Sequence, residues 1–334
     1  MKQAKVIIST SLDPWKNLSI EEFLVTNLKK DSCVLYLWKN DKTVVIGKNQ
    51  NPWRECNIPL IEKDGVKLSR RITGGGAVYH GLGNLNFSFV MNKGDYDLNR
   101  QLKVILDMCS ELGIDGELTG RNDLTVNGRK FSGNAFYHGS SVSLHHGTLL
   151  INENMSNLAK YLKVSKEKMS SKGVTSVKSR VSNLATYYEG LSTEKVTDMC
   201  IRSFINEYSQ DENDVIIEKD PLWFENEEIK KLYEKNASWD WRYGRVPEFQ
   251  VVLETRLSWG EIQIHLNMKN AIIKEVIIYS DCLDQEFIDD LPKLFIGQKY
   301  NSEILADKLR GNTAIPSRKN MLEDIAEWIE NKMF

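Results

Sequence analysis

Residues 70–84 read RRITGGGAVYHGLGN: two arginines, three consecutive glycines, a short β-type run and a second glycine-rich turn. Gly74, Gly75 and Gly76 carry no Cβ, so backbone N–H groups there can approach an anion closely, and Arg70 or Arg71 adds a planar positive fork. Such a combination binds a phosphate or a carboxylate. It equally fits a plain hairpin with a solvated arginine pair, because glycine clusters commonly mark turns. A Walker A loop and a dinucleotide fingerprint are both excluded: no Gly-Lys-Ser/Thr follows, and the glycines do not open a helix.

Around this stretch the patterning is mostly short strands. Upstream, KVIIS (5–9) reads as a strand. A helix capped by Asn17 or Ser19 runs to Lys30, with Ile20, Phe23, Leu24 and Leu28 at helical spacing. CVLYLW (33–38) and TVVIG (43–47) follow, split by Asn40-Asp41, a hairpin signal. Between residues 67 and 151 the strand patterns KLSRRI, AVYH, LNFSFV, LTV, RKFSGNAFY and SVSLHHGTLLI dominate, interrupted by one strong helix at 99–112. Asn127-Gly128 favours a type I′ turn, which fixes where Arg129 and Lys130 emerge.

Composition narrows the class. The chain has 334 residues, a soft prior for about two domains, with 41% hydrophobic and 27% charged residues, so bulk disorder is excluded. Lys plus Arg is 44 against Asp plus Glu 46, a net −2, which gives no whole-chain attraction to nucleic acid or an anionic membrane. No apolar run reaches the roughly 18 residues of a spanning helix, and the N-terminus is not a signal peptide. Cys33, Cys56, Cys109, Cys200 and Cys282 form no CxxC pair, so neither a disulfide framework nor a zinc knuckle is indicated. The expectation is a cytoplasmic protein.

After residue 151 helices take over, at 155–162, 193–208 and 227–235, and a hinge pattern, WDWRYGRVPE, spans 239–248. Beyond it lies a fresh α+β set: VVLETRLSW and EIQIHLNM joined at Gly260, then IIKEVIIYS, then helices near 284–294 and 321–332. The expected domains are 1–246 and 247–334.

Three further stretches carry chemistry. GRNDLTVNGRKFSGNA (120–135) sets Lys130 on a strand pattern, with Phe131 toward one face and Ser132 toward the other, and Asp123 across the turn is near enough to share its site. An isolated strand lysine is more often an edge residue that blocks aggregation, and an Asp near a Lys more often a surface pair. In SLHHGTLLI (143–151) adjacent His145 and His146 point to opposite faces, so they do not easily ligate one metal. Residues 160–180 hold seven Lys/Arg against Glu167 alone, which fits a solvated basic end, an anion clamp or a dock for an acidic partner.

Together, in this order, these blocks resemble the lipoate–protein ligases, in the superfamily shared with biotin–protein ligases and octanoyltransferases. The resemblance also takes in TVVIGKNQNPWREC (43–56), KGVTSVKSRVSNL (172–184) and WDWRYGRVPEF (239–249), and runs over nearly the whole chain. It implies an α+β fold: a catalytic domain on a mixed or antiparallel sheet with a smaller α+β accessory domain. It also implies ATP-dependent activation of lipoate to lipoyl-AMP, then transfer to a lysine of acceptor proteins, H protein or E2 subunits. The expected enzyme is a monomer using ATP and Mg²⁺, with no nucleic-acid or membrane partner.

By the resemblance, Lys130 is the catalytic lysine. Arg71, Gly74, Gly75, Gly76, Ala77, Val78, Tyr79, Asn84, Asp123, Lys130 and Lys172 contact ATP or the adenylate, and Asp123 can help hold Mg²⁺. His80, Lys130, Leu144 and His146 line the lipoate site. One departure stands out: the ligases usually read His-Asp-x-Gly-Asn, and this chain reads His80-Gly81-Leu82-Gly83-Asn84, as octanoyltransferases tend to. An ATP-independent lipoyl or octanoyl transferase therefore stays open, although Lys172-Gly173 stands where one transferase branch has Cys-Gly. A non-catalytic sensor of lipoate or of a carrier domain is a third reading. Biotin ligation is weakest, since a GRGRRGR-type loop is missing.

Overall fold

The computed structural model of the protein describes residues 3–120, 122–163, 181–209, 215–243, 251–269, 271–312 and 318–332. Contacts divide the chain into two units. The first comprises Met1–Ile46, Pro52–Ile72 and Ala77–Gly244; the second comprises Gly47–Asn51, Thr73–Gly76 and Arg245–Phe334. The glycine run thus clusters with the C-terminal residues, whereas the sequence reading assigns it to the N-terminal domain.

The first unit is built on strands β1 (Gln3–Ile8), β2 (Ser32–Trp38), β3 (Thr43–Ile46), β4 (Lys67–Arg70), β5 (Val78–His80), β6 (Asn84–Asn92), β7 (Glu117–Thr119), β8 (Asp123–Val126), β9 (Arg129–His138), β10 (Val142–Leu150) and β11 (Ile216–Lys219). Eight form one mixed sheet in the order β11-β1-β2-β6-β10-β9-β8-β7, and β4-β3-β5 form a second. β1 runs parallel to β2 and β11, and the other neighbours in the large sheet are antiparallel. The helices used below are α1 (Pro14–Thr26), α2 (Leu98–Glu111), α3 (Met155–Tyr161), α4 (Thr193–Tyr208) and α5 (Glu227–Ala237).

Alternation along the central strands feeds two cores. Leu85, Phe87, Phe89 and Met91 of β6 pack with Leu102, Ile105 and Met108 of α2 and with Val196, Met199 and Phe204 of α4. On the opposite face Val34, Tyr36, Trp38, Val90 and Leu144 pack with Leu18, Ile20 and Leu24 of α1 and Ile229 of α5. Each large side chain removed from water contributes about 1.5–3 kcal/mol, so both helical layers hold the sheet.

The structure corrects several expected elements. Residues 33–38 and 43–46 are not a hairpin, because β2 and β3 lie in different sheets. β2 is buried along its whole length with β1 on one side and β6 on the other, so neither edge is left for β3. The connection turns at Lys42 in a positive-φ conformation, and Asn17 Nδ2 donates to the buried Asn40 side chain at 3.0 Å. The first helix begins earlier than Asn17 because Asp13 accepts from Trp15 N–H and Pro14 supplies the preset φ of a first turn. It ends at Thr26, not Lys30. Asn127 and Gly128 both have positive φ, at 51° and 70°, as a type I′ turn requires.

The second unit carries an antiparallel sheet of β12 (Val251–Leu257), β13 (Gly260–Lys269) and β14 (Ile272–Ser280). Ile262, Ile264, Leu266 and Ile273 of this sheet pack with α6 (Gln285–Asp290), α7 (Ser302–Arg310) and α8 (Lys319–Glu330) through Phe287, Leu305, Leu309, Ile325 and Ile329. The sequence reading lacks α7, whose cap is Asn301 accepting from Ile304 N–H. Among the described residues no helix is long and apolar enough to cross a membrane.

The turn into β6 is fixed by close approach. Gly83 O accepts from Ile151 N and Asn152 N at 2.9 and 3.0 Å, and a Cβ on Gly83 would lie 2.1 Å from Asn152 O. Backbone cannot step aside as a side chain can. Gly83→Ala is expected to destabilise the protein by about 1–3 kcal/mol, whereas Gly94→Ala, with nothing within 4 Å of its Cβ, should be near neutral. Urea midpoints of the two variants check this, and coincident midpoints would refute it.

Candidate active site

The strand leading from this turn sets the site. β6 reads NLNFSFVMN, an alternation that ordinarily marks a strand with one wet face. Here Asn84, Asn86 and Ser88 are as buried as the phenylalanines between them. Their polar side chains form a floor on the face carrying α1, and they are satisfied mainly by one another and by neighbouring strands. Asn84 Nδ2 donates to Asn86 Oδ1 at 3.1 Å, Asn86 Nδ2 to Trp38 O at 3.3 Å, and Trp38 Nε1 to Ser88 Oγ at 3.1 Å. Ser88 Oγ donates in turn to Glu21 Oε1 of α1 at 2.5 Å.

Glu21 is the hub of this network. The same Oε1 lies 2.8 Å from His146 Nδ1, so a proton on Nδ1 satisfies both groups and leaves Nε2 as the ring's acceptor. A buried carboxylate needs compensating charge. Arg71 supplies it from the small sheet: burial lowers its guanidinium to about 10, an effect Glu21 partly opposes, so Arg71 stays cationic at neutral pH. Arg71 Nη1 donates to Val45 O at 3.4 Å. Arg70 is engaged differently, donating from Nε to Trp241 O and from Nη2 to Arg242 O at 2.8 and 3.0 Å, while Trp241 Nε1 donates to Arg70 O. Arg70 therefore ties the end of β4 to residues 241–242.

His80 ends β5 and is buried. Asn40 Nδ2 lies 3.2 Å from its Nδ1, which leaves the proton on Nε2, and Nε2 has no hydrogen-bond partner among the described residues. Burial, with Arg71 and His146 adding repulsion, lowers the imidazole to about 3, so the ring is neutral at physiological pH. Asn84 Oδ1 is likewise buried without a partner among the described residues. Each such atom costs about 1–3 kcal/mol unless something meets it. Unmatched buried polar atoms near the opposite charges of Arg71 and Glu21 suit a polar ligand.

Lys130 reaches this face through an irregularity. In the β8–β9 ladder Leu124 faces Ser132 but Thr125 faces Lys130, so Phe131 is an extra residue on β9. Strict alternation would put Lys130 on the same side as Ser132 and Asn134, and Asn134 Oδ1 lies against His145, beneath α2. The extra residue lets Phe131 enter the α2/α4 core while turning Lys130 over, as bulges do when they re-aim a side chain. Lys130 Nζ then sits 2.7 Å from Asp123 Oδ1, with both side chains about one-third exposed. The loop ahead of Asp123 is clamped to β9: Asn122 Nδ2 donates to Asn134 O at 2.6 Å, and Asn134 Nδ2 to Asn122 O at 3.0 Å.

The remaining sequence-predicted residues are distributed as follows. Leu144 is buried beside Tyr36 and Trp38 on the α1 face. Val78 pairs with Val45, Ala77 packs against the small-sheet core, and Tyr79 stacks on Tyr161 of α3 at 5.5 Å. Gly74, Gly75 and Gly76 cluster with the second unit, where Gly75 N donates to Cys282 O at 3.3 Å. Lys172 and the basic stretch 170–180 lie outside the described residues. Among the described residues no group of three or more His, Cys, Asp or Glu side chains is arranged to hold a metal. Sequence reasoning missed Glu21, Ser88 and Trp38. The signal for Glu21 was available: it lies four residues after Asn17 and three before Leu24, an acidic residue inside a helix's buried stripe.

With this geometry in view, comparisons with known proteins are specific. Residues 13–205 match the family model of the lipoyl protein ligase A/B catalytic domain, and residues 246–329 that of the bacterial lipoate protein ligase C-terminus. The chain is 41% identical to the lipoate-protein ligase A of Psychrobacter cryohalolentis, with 98% of each covered. It is similar to LipL1 of P. falciparum, crystallised with lipoate, at 34% identity and a TM-score of 0.87, covering 98% of this chain and 99% of that one. A bi-partite lipoate protein ligase of Thermoplasma acidophilum, studied with its E2 lipoyl domain, matches at 25% identity and a TM-score of 0.62, covering 75% of this chain and all of its own.

The neutral histidines set an acid limb of stability. His80 and His145 are both held near 3, chiefly by burial, against an ordinary 6.5. The unfolded chain takes up these protons first, so their contribution is complete above pH 6.5 and is lost as pH falls toward 3. Each histidine gives a slope of about 1.4 kcal/mol per pH unit in that window. Urea unfolding between pH 7 and 4.5 should show His145→Gln with a flatter acid limb by about that amount, and an unchanged slope would refute it.

Proposed function

The chain belongs to the lipoyl protein ligase family, and on that premise we propose that it activates lipoate with ATP and passes the lipoyl group to a lysine of an acceptor protein. In the first step a lipoate carboxylate oxygen attacks the α-phosphorus, pyrophosphate leaves, and a mixed anhydride with AMP forms. Two anions of like sign must meet, so a cation between them lowers the barrier most. In the second step the acceptor's neutral ε-amine attacks the anhydride carbonyl, AMP leaves, and an amide forms with loss of one proton.

The observation that carries this reading is the Lys130 ammonium, turned onto the polar face by the extra residue of β9 and held on Asp123. An ammonium is a compact point charge able to touch carboxylate and phosphate oxygens together. Arg71, Ala77 to Tyr79, Asn84 and Asp123 are the proposed adenylate contacts in the first unit, with His80, Leu144 and His146 toward the acyl chain. Gly74 to Gly76 and Lys172 are proposed for the nucleotide on sequence grounds. Mg²⁺ usually binds through one or two carboxylates plus substrate phosphates, and the partly exposed Asp123 fits that donor set. Asp123 would hold the ion, and the ion would offset phosphate charge.

A thioester route between carriers needs an accessible thiolate. All five cysteines are buried, and burial pushes Cys56 and Cys109 up to about 12. That supports the ATP-dependent route, and thiols held in no disulfide fit a cytoplasmic setting. The acceptors proposed are H protein and the lipoyl domains of E2 subunits. Mass spectrometry of each purified carrier after incubation with lipoate should show the lipoyl adduct only with ATP present, and modification without ATP would favour the transferase.

Lys130→Ala is expected to lose on the order of 10²–10³ in lipoate-dependent ATP–pyrophosphate exchange, in line with about 2.7–4 kcal/mol for one charge-stabilising donor. Its thermal midpoint should stay near that of the parent, because the side chain is one-third exposed. Near-parental exchange in this variant would remove Lys130 from the chemistry.

A further inference from the structure

Three glycines near the site are each closely approached, and what approaches them differs. A Cβ on Gly83 would meet the backbone of Asn152, and one on Gly147 would meet the Phe87 ring at 2.5 Å and Asn134 Oδ1 at 2.7 Å. Those two keep space for packed, fixed groups. Gly133 is in the interior of β9, where a glycine ordinarily weakens a strand, and its φ lies outside the left-handed region that would demand one. A Cβ there would lie 2.7 Å from Lys130 Nζ and 2.8 Å from Lys130 Cε, and the next atom, Thr148 Oγ1, is 4.0 Å away. Among the described residues the only near obstacle is the end of the lysine.

We propose that Gly133 is a positioning residue whose missing side chain is the seat of the Lys130 ammonium. The register supports it. Gly133 is the cross-strand partner of Asp123, so a Cβ at 133 and the Asp123 side chain rise from the same face about 5 Å apart. Lys130, turned to that face by the extra residue, lays its ammonium over Gly133 and against Asp123 Oδ1. Gly133 N donates to Thr148 Oγ1 at 3.3 Å, which anchors the seat to β10. A methyl group at 133 would displace the charge by roughly an ångström, from 2.7 Å out to ordinary van der Waals contact, without touching the fold. Displacements of that size cost about a hundredfold where a reacting group must be aligned.

The inference rests on the reading of Lys130 as the activating cation, and a four-variant cycle separates the two. The parent, Gly133→Ala, Lys130→Ala and the double variant are titrated by calorimetry with a non-hydrolysable acyl-sulfamate analogue of lipoyl-adenylate, and their thermal midpoints are measured. Gly133→Ala should bind the analogue about 10–100-fold more weakly, with a midpoint equal to or above the parent's, since alanine restricts the unfolded chain. In the Lys130→Ala background the same substitution should change affinity less than about twofold, because it acts only through the lysine. An equal loss in both backgrounds, parental affinity in Gly133→Ala, or a collapsed midpoint would each overturn the role of Gly133. A parent that does not bind the analogue would instead overturn the adenylate reading itself.

Discussion

One extra residue on one strand governs where the Lys130 ammonium lies. Phe131 is anchored in the α2/α4 core, and the ladder absorbs it between Leu124 and Thr125. Burying a phenylalanine is worth about 1.5–3 kcal/mol, far more than the single ladder bond a bulge forfeits. Core packing therefore fixes the irregularity, and the irregularity fixes the lysine. Without it the ammonium would point toward the apolar side beneath α2, where a charge has no compensation. A packing preference on one face of the sheet is thus converted into the orientation of a charge on the other.

The polar face that receives the lysine follows the same logic. Asn84, Asn86 and Ser88 alternate with Leu85, Phe87 and Phe89; α1 lies over the polar set, and α2 and α4 cover the apolar one. Removed from solvent, the polar residues must satisfy each other, and the network running through Trp38 and Glu21 to His146 does so. Arg71 and Glu21 enter as opposite charges in one low-dielectric region. Neither would be tolerated alone.

Much of this was legible in the chain, and the reasons for the rest are physical. The strand-rich centre, α2, α4 and the second α+β unit follow from periodicities that local sequence controls. The turn at Asn127-Gly128 was readable because few residues accept two positive φ values in succession. The β2–β3 hairpin was not, because two adjacent strand patterns look alike whether they pair with each other or with distant partners. The extra residue at Phe131 was hidden for a similar reason: a hydrophobe after a lysine fits regular alternation equally well. Lys130, Asp123, Arg71, His80 and His146 were named from motif context, whereas Glu21, Ser88 and Trp38 matter through contacts that cross 50 to 125 positions of sequence.

His145 never faces the polar floor, yet it is wired to it. Its two ring nitrogens lie 2.8 Å from Gln101 on α2 and from Asn134 on β9, and Asn134 grips the loop that precedes Asp123. Hydrogen bonds thus run from a helix in the apolar core to Asn122, the residue ahead of Asp123. Loss of the imidazole would therefore loosen the seating of Asn122 as well as leave a gap beneath the helix. The hidden amide–imidazole–amide bridge thus couples the packing of the core to the footing of an ion pair on the other face of the sheet.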